Sequence, residues 1–275
     1  MTMPIPHPEH FDLYDQTLSM AAAGLGLDAR VEIVQLLVDL GIDLIEIPAA
    51  DEQLWAAVSD APGIPQRTLV AAIDIDDSAA AAQVQIPARC EQICLSLAPA
   101  IAPDAATPLI RRFVDAGLHV IVDLADFFIG LREDQAAQRA RLNLAAEAGA
   151  PTVVLCDSAG GELPAHIEDA VQFASHTGVN LGVAFNNDAD CAVANTLLAA
   201  DTGATLVKGC LTGIGPRAGR ANLASIIANL QLNYGWPALP PDRIGELGRV
   251  SKRVADLMGE SINPRQPFVG SEVQA

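Results

Sequence analysis

Short apolar runs that end in polar residues alternate along this chain with longer stretches in which apolar residues recur every three or four positions. The first pattern belongs to strands buried on both faces, the second to amphipathic helices. FDLYDQTL, LIEIPA, TLVAAID, EQICLSLA, HVIVDLADF, TVVLCDSAG, LGVAFNND and ATLVKGC read as eight strands. Between them, DARVEIVQLLVDLG, DEQLWAAVSD, ATPLIRRFVDAG, EDQAAQRARLNLAAEAG, LPAHIEDAVQFASHTG and DCAVANTLLAADTG read as helices. Gly41, Gly117, Gly149, Gly178 and Gly203 stop helices just ahead of a strand, as C-caps do in short αβ loops. Repeated βα units imply a parallel sheet. Eight of them, with no glycine-rich phosphate loop after the first strand, predict a (β/α)8 TIM barrel rather than a doubly wound sheet. The barrel is expected over residues 1–232, with a short C-terminal helical extension over 233–275.

Composition narrows the partners. The 275 residues are 51% hydrophobic and 18% charged, enough apolar material for a sizeable core. A net charge of −18 repels phosphate backbones and anionic headgroups, so neither nucleic acid nor a membrane surface is expected as a partner. No run approaches the roughly 18 apolar residues of a membrane span, and MTMPIPHPEH lacks the basic and apolar regions of a secretory signal, so a soluble cytoplasmic protein is expected. The five cysteines are scattered and never spaced CxxC, which predicts free, mostly buried thiols. His7, His10, His119, His166 and His176 fall in unrelated segments, leaving no cysteine an evident histidine partner.

Several late segments carry a resemblance. VVLCDSAGGELPAHI (153–167), the stretch from Asp188 to Leu232 with its glycine-rich LTGIGPRAG, ADFFIG (125–130) and PFVGSE (267–272) resemble the pyruvate-carboxyltransferase or HMG-CoA-lyase-like family. Within it they are most similar to citramalate and 2-isopropylmalate synthases. In that family a divalent metal held by an Asp, two His and an Asn polarises a 2-oxo acid, which a carbanion derived from an acyl-CoA attacks. The resemblance also marks where this chain departs. The family's YDTTLRDG reads YDQTLSMA, placing Ser19 and Met20 at the catalytic Arg and metal Asp. HxHND reads Ala184-Phe185-Asn186-Asn187-Asp188, and the ligand Asn of GERxGN becomes Arg220, with Pro216 at its Glu. The expectation is therefore no metal and no cofactor, because methionine and alanine cannot replace hard donors.

What remains to carry chemistry is a set of polar residues expected around the barrel mouth. Glu46, Asp157 and Lys208 are the catalytic candidates; Ser158, Asn187, Arg217 and Arg220 are the candidates for substrate binding. Strand alternation is read as turning Glu46, Asp157 and Lys208 inward. Lys208 can serve either as a buried ion-pair partner or as an amine nucleophile forming a Schiff base. Three readings stay open: a non-catalytic binding or regulatory homologue, an enzyme of aldolase, lyase or acyltransferase type working without metal, and a synthase that survives through unrecognised ligands. Each would take a 2-oxo acid or an acyl-CoA-like ligand. An oligomer is expected, either with itself or with an intact paralogue.

Overall fold

The computed structural model describes residues 10–21, 24–75 and 84–273. Most of the amino-terminal stretch read as lacking a targeting signal, up to residue 9, lies outside them. Eight parallel strands close a barrel in chain order: β1 (Asp12–Asp15), β2 (Leu44–Pro48), β3 (Leu69–Ile75), β4 (Gln92–Leu97), β5 (His119–Leu124), β6 (Thr152–Asp157), β7 (Asn180–Phe185) and β8 (Leu206–Gly209). β8 returns to β1 with Leu13 opposite Val207 and Asp15 opposite Gly209. The TIM barrel expected from the alternating pattern is thus the observed fold.

Alternation divides each strand between two apolar layers. Tyr14, Leu44, Val70, Cys94, Ile121, Val154, Cys156, Ala184 and Leu206 fill the lumen. Leu13, Ile45, Ile47, Val153, Leu155, Val183 and Val207 face the surrounding helices. One sequence expectation fails on this parity. Asp157 shares the outward register of Val153 and Leu155, and Cys156 takes the lumen position, so Asp157 does not point into the mouth.

The helices among the described residues are α1 (Thr17–Ala21), α2 (Leu27–Leu40), α3 (Glu52–Val58), α4 (Pro103–Asp115), α5 (Phe127–Glu133), α6 (Gln135–Glu147), α7 (Ile167–Ser175), α8 (Ala192–Thr202), α9 (Leu223–Ala228) and α10 (Leu247–Met258). Asp51 and Asp134 cap α3 and α6 by accepting from the Leu54 and Ala137 N–H groups. Gly41 ends α2 at φ 98°, its N–H returning to the carbonyls of Leu37 and Val38. A Cβ there would also meet the Pro240 ring at 2.6 Å, so glycine lets the extension approach the barrel. That extension lies on the barrel wall. Leu247, Val250 and Val254 of α10 join the main core, Arg253 forks onto Glu32 of α2 at 2.7 and 2.9 Å, and Trp236 stacks on Phe11 at 5.6 Å. Each fully buried Leu or Val of this seam contributes about 1.5–3 kcal/mol. Among the described residues no helix is long and apolar enough to cross a membrane.

Candidate functional site

Charged residues inside apolar strands mark the upper layer of the lumen. Lys208 follows Leu206 by two positions, Glu46 follows Leu44 and Asp123 follows Ile121, so all three side chains turn inward above the apolar floor. Lys208 Nζ lies 2.9 Å from Glu46 Oε2 and 2.6 Å from Asp123 Oδ2, with Cys94 Sγ at 3.3 Å and the Tyr14 ring centroid at 4.2 Å. Gln16 Nε2 reaches both Glu46 oxygens at 3.3 Å. Burial alone would push the Lys208 amine down, but the carboxylates of Asp123 and Glu46, with neighbouring thiols, hold it well above the ordinary lysine value. Burial likewise pushes Glu46 up, but the Lys208 charge together with hydrogen bonds from Lys208, Tyr14 and Gln16 leaves it below the ordinary value. The lysine is therefore an ammonium locked between two acids, and its geometry does not favour an amine nucleophile. Asp123 carries the same sequence signal as Glu46, an acid in an apolar strand, and belongs beside it among the candidates.

A further buried acid sews the mouth together. Asp15, fully buried at the end of β1, accepts from the Thr17 N–H and hydroxyl and, across the barrel seam, from the Leu211 N–H at 2.8 Å. Burial raises its carboxyl to about 6, against the opposing pull of those donors, and nearby Glu46 adds to the rise. The native state holds this proton more tightly than the unfolded chain, whose carboxyl has the ordinary value of 3.8. Its stabilising contribution is therefore complete below that value, declines as pH rises, and is lost above about 6. A carbon-13 titration of the aspartate carboxyls is expected to show one midpoint near pH 6 that disappears in Asp15→Asn. A titration with every aspartate midpoint below 4 would contradict the assignment.

The loops after β6, β7 and β8 hold the remaining candidates. Asp157 accepts from the Gly160 and Glu162 N–H groups at 2.9 Å each, so it shapes the loop instead of facing a substrate. Ser158 accepts from the Asp126 N–H through its hydroxyl, and its carbonyl accepts from Asn186 Nδ2 at 2.6 Å and from Arg217 at 2.7 Å. Arg217 also forks onto Asp188 at the exposed rim. Asn187 accepts from the Ala192 N–H at the start of α8. Arg220 is half-buried, and its Nε and a terminal nitrogen lie 3.4 and 3.3 Å from Met20 Sδ, with no carboxylate in ion-pair range among the described residues. Beside it a cleft of about 370 Å³ is lined by Arg220, Asn187, Asp190, Asn222, Gln266 and Phe268. The structure thus groups Lys208 with Glu46 in the lumen and Arg220 with Asn187 at the cleft, while Asp157, Ser158 and Arg217 organise the rim.

Among the described residues the Arg220 guanidinium, a fixed positive charge, faces the thioether of Met20, and the amide oxygens of its bridge partner Asn186 and of Gln16 are buried without hydrogen-bond partners; thioether and neutral amides are poor donors for a hard divalent cation.

Known proteins with similar sequences share this frame. A 155-residue stretch is 43% identical to the (R)-citramalate synthase of Streptomyces coelicolor, covering 56% of this chain but 29% of that protein. The (R)-citramalate synthase of Aquifex aeolicus is 36% identical over 168 residues, 60% of this chain and 31% of its own. The matched stretch is thus under a third of each synthase. The homocitrate synthase of Pyrococcus abyssi is 30% identical over 257 residues, 88% of this chain and 70% of its own. Among solved structures, an HMG-CoA lyase from Pseudomonas aeruginosa superposes with a TM-score of 0.75 at 13% identity, covering 95% of this chain and 97% of the other. An HMG-CoA lyase from Acinetobacter baumannii, in complex with coenzyme A and 3-methylmalate, gives 0.72 at 16% identity over 92% and 93%. At these identities the structures show a shared fold. The HMGL-like family's own sequence profile matches residues 18–240, and the chain belongs to that family.

Proposed function

We propose that this citramalate-synthase-like barrel binds a small carboxylate ligand without carrying out the metal-dependent condensation, as a binding or regulatory homologue. The observation that carries the reading is Arg220: a half-buried guanidinium, paired with a thioether alone among the described residues, bordering a cleft of about 370 Å³. Sulfur is a weak acceptor, so a carboxylate replaces it at little cost and gains a charge-assisted, bidentate contact. The alignment of Met20, Ala184, Asn186 and Arg220 with the family's metal ligands supports the same reading. Without a Lewis acid, polarisation of a ketone for carbanion attack loses its main source of stabilisation. Lys208 does not replace it, since its ammonium is spent on Glu46 and Asp123.

The ligand class follows from the relatives: a 2-oxo acid or an acyl-CoA-like molecule. Assembly fits the same picture, with Leu232, Tyr234 and Phe268 exposing apolar surface to a second copy or an intact paralogue. Thermal-shift measurements with pyruvate, longer 2-oxo acids and acetyl-CoA test the binding. Selective stabilisation is expected, reduced at least ~10-fold in affinity by Arg220→Gln, the loss of about 1.4 kcal/mol of charge-assisted bonding. Acetyl-CoA with pyruvate is expected to release no CoA thiol above background. Sustained release dependent on both substrates would restore the synthase, and absence of any stabilisation would remove the binding role.

A further inference from the structure

Among the described residues, one group of three metal-ligating side chains gathers at the opposite end of the barrel. His10 and Asp12 are two residues apart at the start of β1, and Asp43 immediately precedes β2, the neighbouring strand. This pairing brings the three side chains together, with ligand atoms from His10, Asp12 and Asp43 all within 4.8 Å of one another. His10 Nε2 lies 2.9 Å from Asp43 Oδ1. The other Asp43 oxygen accepts from the Leu13 N–H at 2.9 Å, which fixes the carboxylate and leaves Oδ1 turned toward the imidazole. Asp12 sits at the head of a paired strand, its own N–H bonded to the Thr205 carbonyl.

Charge at this end is unbalanced. Burial pushes the Asp12 carboxyl up, Asp43 adds to the rise, and His10 and His119 oppose it. Among the described residues neither Asp12 nor Asp43 has an ion pair with a lysine or arginine, although exposed Arg67 lines the same hollow. That hollow, about 620 Å³, is floored by Leu44, Ile121 and Leu206 and rimmed by Asp12, Asp43 and His119. It leaves room for solvent ligands on the open side of the three donors.

We propose that His10, Asp12 and Asp43 form a zinc-type divalent cation site at the amino-terminal end of the barrel. One imidazole and two carboxylates suit zinc better than magnesium or calcium, which take all-oxygen shells, or soft metals, which take thiolates. Donors at roughly 2.0–2.2 Å from zinc stand about 3–3.5 Å apart, close to the observed 2.9 Å between His10 Nε2 and Asp43 Oδ1. Binding needs the Nε2 lone pair: in a neutral imidazole the ring proton moves to Nδ1 through solvent, and an imidazolium releases one proton to solvent, while Asp43 Oδ1 exchanges its hydrogen bond for the metal. The ion ties the segment before β1 to the head of β2, at the end of the barrel where fixed residues serve stability rather than catalysis.

Untagged protein stripped with chelator and titrated with Zn²⁺, then with Co²⁺ as a spectroscopic probe, tests the assignment. About one Zn²⁺ per chain is expected, with a raised melting temperature, tighter binding at pH 7.5 than at pH 6, and a Co²⁺ spectrum of mixed nitrogen and oxygen ligation. Asp12→Asn is expected to weaken binding at least ~10-fold, while Arg220→Gln at the far end leaves it unchanged. Asp12→Asn keeps the backbone bond from its N–H to Thr205, so loss of binding in a variant that melts like the wild-type apoprotein is the supporting result. No binding at 100 μM Zn²⁺, full binding in Asp12→Asn, or a thiolate charge-transfer band with Co²⁺ would overturn it.

Discussion

Replacing Lys208 by methionine is expected to lower the unfolding free energy by about 3–5 kcal/mol, the usual cost of breaking a buried ion pair on one side. Methionine matches the length and volume of lysine, so the loss is electrostatic. Glu46 and Asp123 are left facing each other in the lumen without a counter-charge, and the Tyr14 ring loses its cation. The denaturant midpoint should fall with little change in slope. The deficit should also narrow as pH falls from 7 to 5. With the lysine gone, burial is left to push the Glu46 carboxyl up, so the native variant takes up a proton there before the unfolded chain does. Neutralising all three positions with Glu46→Gln, Asp123→Asn and Lys208→Met should recover most of the loss, since a buried ionic set replaced as a whole is often neutral. A single variant as stable as wild type would mean that the charges contribute nothing to the fold. Borohydride trapping with 2-oxo acids should leave Lys208 unmodified.

Gly219→Ala is expected to cost about 2–4 kcal/mol and to weaken ligand binding at Arg220 at least ~10-fold, a large effect for one methyl group. Gly219 lies at φ 89°, and a Cβ there would stand 2.1 Å from the Gly213 carbonyl oxygen. That oxygen accepts from the Arg220 N–H at 3.1 Å, and the Gly219 carbonyl accepts from the Asn187 N–H at 2.9 Å. The methyl group cannot be housed without moving both residues that border the cleft. Gly245→Ala is the matched control, because an added Cβ there meets no atom within 4 Å and its φ is not in the left-handed region. Equal affinities for wild type and Gly219→Ala would show that the loop does not position the ligand.

The barrel was legible because each strand reads as a near-continuous apolar run bounded by turn residues, the mark of a parallel sheet covered on both faces. The same property hides which way a residue points. Thr152 to Asp157 are buried at every position, so period-two alternation gives no contrast and the parity of Asp157 came out reversed. Lys208 and Glu46 stood out as charges inside apolar strands, and their pairing followed. Asp123 gives the same signal, an acid inside the apolar run HVIVDLADF. The contact between Arg220 and Met20 joins residues 200 positions apart, and no local pattern announces it. His10, Asp12 and Asp43 belong to two segments that are neighbours in space through β1–β2 pairing, and histidines counted along the chain look unrelated.

The seam at Asp15 sets an order of events as the chain is made. β1 emerges first, yet its partners on one side are β8 and Leu211, 196 positions downstream of Asp15. Until that late segment is synthesised, β1 has an open edge, and the Asp15 carboxylate lacks the Leu211 N–H that it binds in the closed barrel. Closing so long a loop carries an entropy cost that is met before the seam contacts return it. The first strand of the barrel is therefore the one that spends longest exposed to pairing with another chain, and a barrel broken off before β8 keeps that edge permanently.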